Sequence, residues 1–149
     1  MVGGCPPDAK RSADRGTALE RLILDTTILV DSERERRPLD DLIADDDDVA
    51  MAVITAAELL VGVELSEGRW RRERQRYVSD ALAVIPVEEY DLDVARAHAS
   101  LLAHTRRSGG QRDAHDLIIA ATAIARSRIV VTAAAPGFED LPGLEIRAG

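Results

Sequence analysis

Short apolar runs and longer amphipathic stretches alternate along this chain. Leu22, Ile23 and Leu24 form a run too short for an independent helix, and their branched side chains suit a strand covered on both faces. Val49–Ile54, Ala83–Val87 and Arg128–Thr132 repeat the pattern, and Leu144–Arg147 reads as a final edge strand. Helical stretches lie between them. A short one begins at Ile28 and gives way to the charged run Ser32–Arg37, a second covers Pro38–Ala44, and a third runs from Thr55 through Leu65. Gly68 opens a helix that carries Trp70, Tyr77 and arginines around most of its circumference, which favours a solvated face over an RNA contact. Asp91 is placed to cap a long helix with Leu92, Ala95, Ala99, Leu102 and Ala103 at helical spacing. Asp113 is placed to cap an alanine-rich helix reaching Ala125, whose small residues allow close approach to a sheet. The alternation predicts an α/β domain.

Length and composition narrow this picture. At 149 residues the chain has the size of one ordinary domain, assigned to residues 21–149, while residues 1–20 show no periodicity and read as a flexible N-terminal tail. Cys5 is the single cysteine, so neither a disulfide framework nor a cysteine metal site can form within the chain. No apolar run approaches the roughly 20 residues needed to cross a bilayer, and a cytoplasmic protein without membrane contact is the default expectation. The net charge of -8 argues against a protein that coats nucleic acid through basic residues, but not against a nuclease that gathers carboxylates around metal ions. Asp45–Asp48 is read as a solvated acidic loop, because adjacent like charges repel.

Three acids occupy similar places relative to the elements. Asp25 follows the first strand, where ligands of open α/β sheets collect, although it is also placed to cap the next helix. Glu58 stands three residues after Thr55, at the C-terminal side of the second strand, and the same spacing makes a capping box. Asp116 lies in the first turn of the alanine-rich helix, where it also complements the helix dipole. Hard oxygen ligands of this kind suit Mg2+ or Mn2+, with water and a substrate phosphate completing the shell. His115 is weighed as a general base and read instead as a loop-facing neighbour without chemistry. His98 and His104 have no ligand partner at suitable spacing.

With these residues in place the sequence resembles a known family. Leu24-Asp-Thr-Thr-Ile-Leu-Val30, Thr55-Ala-Ala-Glu-Leu-Leu-Val-Gly62, His115-Asp-Leu-Ile-Ile-Ala-Ala-Thr-Ala123, and Val131-Thr132 with Phe138-Glu-Asp-Leu-Pro-Gly143 are similar, in order, to the blocks of PIN-domain ribonucleases, and among them to the VapC toxins of bacterial toxin–antitoxin pairs. The resemblance covers about residues 22–147. It implies a three-layer α/β/α sandwich with a central, mainly parallel sheet. It also implies a homodimer, an endoribonuclease dependent on Mg2+ or Mn2+ that cuts structured RNA such as tRNA or rRNA, and neutralisation by a cognate VapB-type antitoxin.

Carried over by position, Asp25, Glu58 and Asp116 are the metal-binding and catalytic acids, Thr26 or Thr27 supports Asp25, and Arg112 with its basic loop contacts RNA. One position departs from the family. Where a fourth polar residue commonly stands two residues after the Val-Thr pair, this chain has Ala134. Either the chain is a natural single-metal variant, or Ala134 is an engineered inactivating substitution. The alternative function is a catalytically impaired module that binds antitoxin and RNA without efficient cleavage. A phospho-acceptor receiver domain is disfavoured because Lys10 is the only lysine and lies in the tail, and a dinucleotide-binding domain because no glycine-rich loop follows Asp25.

Overall fold

In the computed structural model of the protein, residues 19–35, 41 and 44–149 are described. The tail and the short helix expected over Pro38–Ala44 therefore lie outside the described residues, except for residues 19, 20, 41 and 44. The elements run β1 (Arg21–Leu24), α1 (Thr26–Glu35), β2 (Asp48–Ala52), α2 (Val53–Glu64), α3 (Gly68–Val84), β3 (Val87–Glu88), α4 (Leu92–Ser108), α5 (Ala114–Arg126), β4 (Ile129–Thr132), a 3-10 turn (Ala135–Gly137) and β5 (Ile146–Ala148). Every strand pairing is parallel, and the order across the sheet is β3-β2-β1-β4-β5.

Residues on successive positions of β1 enter opposite cores. Leu22 and Leu24 pack with Ile28 and Leu29 of α1, Leu59 and Val63 of α2, and Val78 and Ala81 of α3. Ile23 packs on the other face with Val94 and Leu101 of α4 and with Leu117, Ala120 and Ala121 of α5. Val131 and Val130 of β4 divide in the same way. Strands covered on both faces explain the continuous apolar runs, and the result is an α/β/α sandwich. Among the described residues no helix is long and apolar enough to cross a membrane.

Several boundaries differ from the sequence reading: α1 begins at Thr26 and continues through the charged residues to Glu35, and the last strand is Ile146–Ala148 rather than Leu144–Arg147. The second strand ends at Ala52 rather than Ile54, because Val53 already begins α2. The capping box at Thr55 is absent: Ala52 is the N-cap, while Thr55 sits inside the first turn, fully buried, with a hydroxyl that has no hydrogen-bond partner. The third strand shrinks to two residues because α3 continues to Val84, its core-facing spacing Val78, Ala81 and then Ile85 being helical rather than alternating. Asp91 does cap α4, accepting from the Val94 N–H, and that bond, helped by Arg126, holds its carboxyl below the usual range.

The acidic run also divides. Asp47 accepts from the backbone N–H groups of Ala44 and Glu20, while Asp48 belongs to β2 and is not a solvated loop residue. Its carboxylate meets Arg21 at 2.7 Å and Arg128 at 3.0 Å. The Arg128 side chain is only 6% exposed; it donates to the Leu22 and Asp48 carbonyls and pairs with Glu88 at 2.8 Å. This buried fork joins the N-terminal ends of β1 and β2 to Glu88 of β3. On the arginine-rich helix, Arg71 and Arg74 turn to Glu64 and Glu33, and Arg69 faces Glu73.

Removing one partner of a buried ion pair strands the others. Arg128→Ala is expected to lower unfolding free energy by about 2–3 kcal/mol in urea melts, with Arg128→Lys recovering less than half of the loss. A change below about 0.5 kcal/mol, the ordinary level for a surface substitution, would contradict the assignment.

Candidate active site

The order 3-2-1-4-5 has its switch point between β1 and β4, where the following connections leave to opposite faces of the sheet, the position at which open α/β sheets form a ligand crevice. Asp25 is the first residue after β1 and Thr132 the last of β4. Asp25 is only 3% exposed, yet both of its oxygens accept hydrogen bonds. Its Oδ1 accepts from the Thr26 N–H at 2.8 Å, and its Oδ2 accepts from the hydroxyls of Thr27 and Thr132, each at 2.8 Å. These partners differ from those of a helix cap, which accepts from the second or third N–H of the turn. A carboxylate has about four lone-pair sites, so this arrangement leaves room on Oδ1 for one further partner.

The two threonines have separate partners. Thr27 Oγ1 also accepts from the Ala133 N–H at 3.0 Å, tying the start of α1 to the end of β4. Thr26 Oγ1 instead donates to Glu58 Oε1 at 2.5 Å. Glu58 comes from the second turn of α2, and its other oxygen, Oε2, lies 2.8 Å from His115 Nδ1. Loss of the expected capping box is what frees Glu58 for these contacts. The imidazole of His115 is held above the usual histidine range, chiefly by its hydrogen bond to Glu58. Sequence reasoning passed over His115, and no local signal pairs it with an acid 57 positions away.

Asp113 caps α5, its Oδ1 accepting from the N–H groups of His115 and Asp116 at 2.8 and 3.2 Å. The cap sets the first turn of α5 and turns Asp116 toward the crevice. The carboxyl of Asp116 is pushed up to about 6, first by desolvation and then by the negative charges of Asp25, Asp113 and Glu58. Gly137 in the 3-10 turn makes this position possible, because a Cβ there would stand 2.7 Å from Asp116 Oδ2. Arg112, expected in an RNA-contacting loop, has its guanidinium engaged by the carbonyls of Pro136, Gly137 and Glu139. Ala134 is exposed beside Thr132, with its N–H donating to Thr132 Oγ1 at 2.9 Å; its methyl group offers no ligand.

Asp25, Glu58 and Asp116 thus approach one end of the sheet, and the charges of the first two add to the desolvation that raises Asp116. The donor set suits a hard divalent cation, which would relieve that repulsion. Among the described residues no three acidic or histidine side chains are gathered closely enough to enclose an ion as they stand. Glu58 accounts for part of this, since both of its oxygens are held by Thr26 and His115. A cavity of about 330 Å³ beside Glu58 is lined by Ile54, Ala57, Glu58, Val61 and His115.

The ionised form of Asp116 is disfavoured in the fold, so its contribution has a defined pH dependence. The penalty is absent below the unfolded value near 3.8, grows as pH rises, and is complete above about 6. In protein without divalent ions, Asp116→Asn is expected to raise stability by about 1 kcal/mol at pH 7.5, a figure reduced for partial solvation, and the gain should vanish near pH 4. Urea melts across that range check this; a gain that persists at pH 4 would contradict it.

The same fold occurs in known proteins. The sequence pattern of the PIN domain matches residues 22–142. Ribonuclease VapC5 of Mycobacterium tuberculosis is 34% identical over 110 residues, covering 74% of this chain and 80% of that protein. The structure of VapBC-5 from Mycobacterium tuberculosis superposes with a TM-score of 0.72 at 29% identity, over 87% of this chain and 98% of that one. That of VapBC2 from Rickettsia felis, bound to a DNA fragment from its promoter, superposes with a TM-score of 0.79 at 22% identity, over 87% and 98%. The chain belongs to the PIN-domain family, among its VapC-type ribonucleases.

Proposed function

We propose that this protein is the endoribonuclease toxin of a toxin–antitoxin pair, cutting structured RNA such as tRNA or rRNA with Mg2+ or Mn2+ held by Asp25, Glu58 and Asp116. The observation that carries the reading is the convergence of these acids at the sheet's switch point, with Asp116 raised to about 6 by its own desolvation and then by its acidic neighbours. A divalent ion, when bound, supplies a Lewis acid for the phosphodiester and makes water a better nucleophile at neutral pH. The chain's residues prepare for it in different ways. Asp25 is rigid, because Thr27 and Thr132 fix one oxygen while the other keeps a free lone pair. Glu58 is held ready by Thr26 and His115 and must exchange at least one of these bonds to become a ligand. Asp116 needs to lose its proton, so metal loading should weaken as pH falls through about 6.

Support for a partner comes from the neighbours, VapBC complexes in which the toxin fold is crystallised with an antitoxin. The reading therefore includes neutralisation by a VapB-type antitoxin, a homodimeric toxin and a cytoplasmic setting. Ala134 favours a second reading, in which the chain keeps antitoxin and RNA binding but cleaves poorly. An exposed methyl group beside Thr132 can neither bind a second ion nor orient its water.

Incubation of metal-stripped protein with end-labelled tRNA or rRNA, with and without Mn2+, separates the readings. Metal-dependent cleavage is expected, and Asp25→Asn should reduce it at least a hundredfold while retaining the fold. Cleavage gained only in Ala134→Asp would establish the impaired module, and no cleavage in either form would sink the nuclease reading. A calorimetric Mn2+ titration of Asp25→Asn should show weakened binding. Unchanged affinity accompanied by a large drop in Tm would instead make Asp25 a purely structural tie between α1 and β4.

A further inference from the structure

Arg112 lies in the connection between α4 and α5, one residue before the cap of the helix that carries Asp116. Its guanidinium crosses to the far wall of the crevice. Nη1 donates to the carbonyls of Gly137 at 3.1 Å and Pro136 at 3.4 Å, and Nη2 donates to that of Glu139 at 2.6 Å. These carbonyls belong to the turn in which Gly137 lies against Asp116 Oδ2, and Phe138, 1% exposed, anchors the same turn in the core. The Asp116 carboxylate is therefore bounded by the start of its own helix and by a turn that Arg112 fastens to that start.

We infer that Arg112 is a positioning residue for Asp116: by holding residues 136–139 against the first turn of α5, it sets the space in which that carboxylate rotates, and hence its approach to a divalent ion. The second half of this inference rests on the nuclease reading; the clamp itself does not. A planar fork that reaches several carbonyls at once cannot be replaced by a point charge. Lysine keeps the charge needed to attract an RNA phosphate, but it cannot span the turn.

The test uses Arg112→Gln, Arg112→Lys and Gly137→Ala in the full chain. Calorimetry with MnCl2 is expected to show about tenfold weaker binding in all three variants, the usual scale for groups that orient a metal ligand. RNA cleavage should fall through kcat at limiting Mn2+ and recover with excess Mn2+, while KM for RNA stays unchanged. A metal-free cycle combining Arg112→Gln with Gly137→Ala in urea melts reads the clamp directly, the cost of Gly137→Ala falling when Arg112 no longer holds the turn against Asp116.

Unchanged Mn2+ affinity in Arg112→Gln, or wild-type RNA cleavage restored by Arg112→Lys, would overturn the inference and return Arg112 to a phosphate contact. An additive cycle would overturn the clamp. If the wild-type chain binds no Mn2+ while the cycle is non-additive, the nuclease reading fails and the positioning of Asp116 stands.

Discussion

The constraint on which the site depends is the hydrogen-bonded enclosure of the Asp25 carboxylate. A carboxylate at 3% exposure is unfavourable unless its lone pairs find donors, and here they come from a backbone N–H of α1, a hydroxyl of α1 and a hydroxyl of β4. The same contacts that make the buried charge tolerable also close the loop after β1 onto the end of β4. Chain connection, sheet register and acid placement are thus one arrangement. The strands deliver Asp25 and Thr132 to the same edge because β1 and β4 pair in parallel, Leu24 opposite Val131.

The two ends of the sheet are electrically unlike. At one, the Arg128 fork neutralises Asp48 and Glu88 and satisfies main-chain carbonyls, so the acids there are already paired with cations. At the other, Asp25 and Glu58 are held mostly by neutral hydroxyls, and Asp116 is crowded by like charge. His115 is the exception: its bond to Glu58 brings the imidazole proton to an otherwise anionic crevice. The net charge of -8 is therefore less informative than its distribution, because a paired acid and a crowded acid count equally in that sum.

Much of the fold was legible because it depends on local patterns. Leu22–Leu24 and the alanine-rich α5 announce a buried strand and a close-packed helix from composition alone, and Asp91 and Asp113 cap the helices expected of them. Thr55 and Glu58 misled because a capping box and a site acid share one spacing, and only the true start of α2 at Val53 separates them. Asp48 was hidden inside an acidic run because its partner, Arg128, is 80 positions away. The same holds for His115 with Glu58 and for Arg112 with the turn after β4. Such pairs arise from topology, and a linear reading carries no trace of them.

The raised carboxyl of Asp116 has a meaning beyond chemistry. An acid whose charge opposes folding is a standing disadvantage to the empty protein, and an amide of the same shape would relieve it. A lineage that no longer used this crevice would therefore drift readily toward the more stable neutral residue.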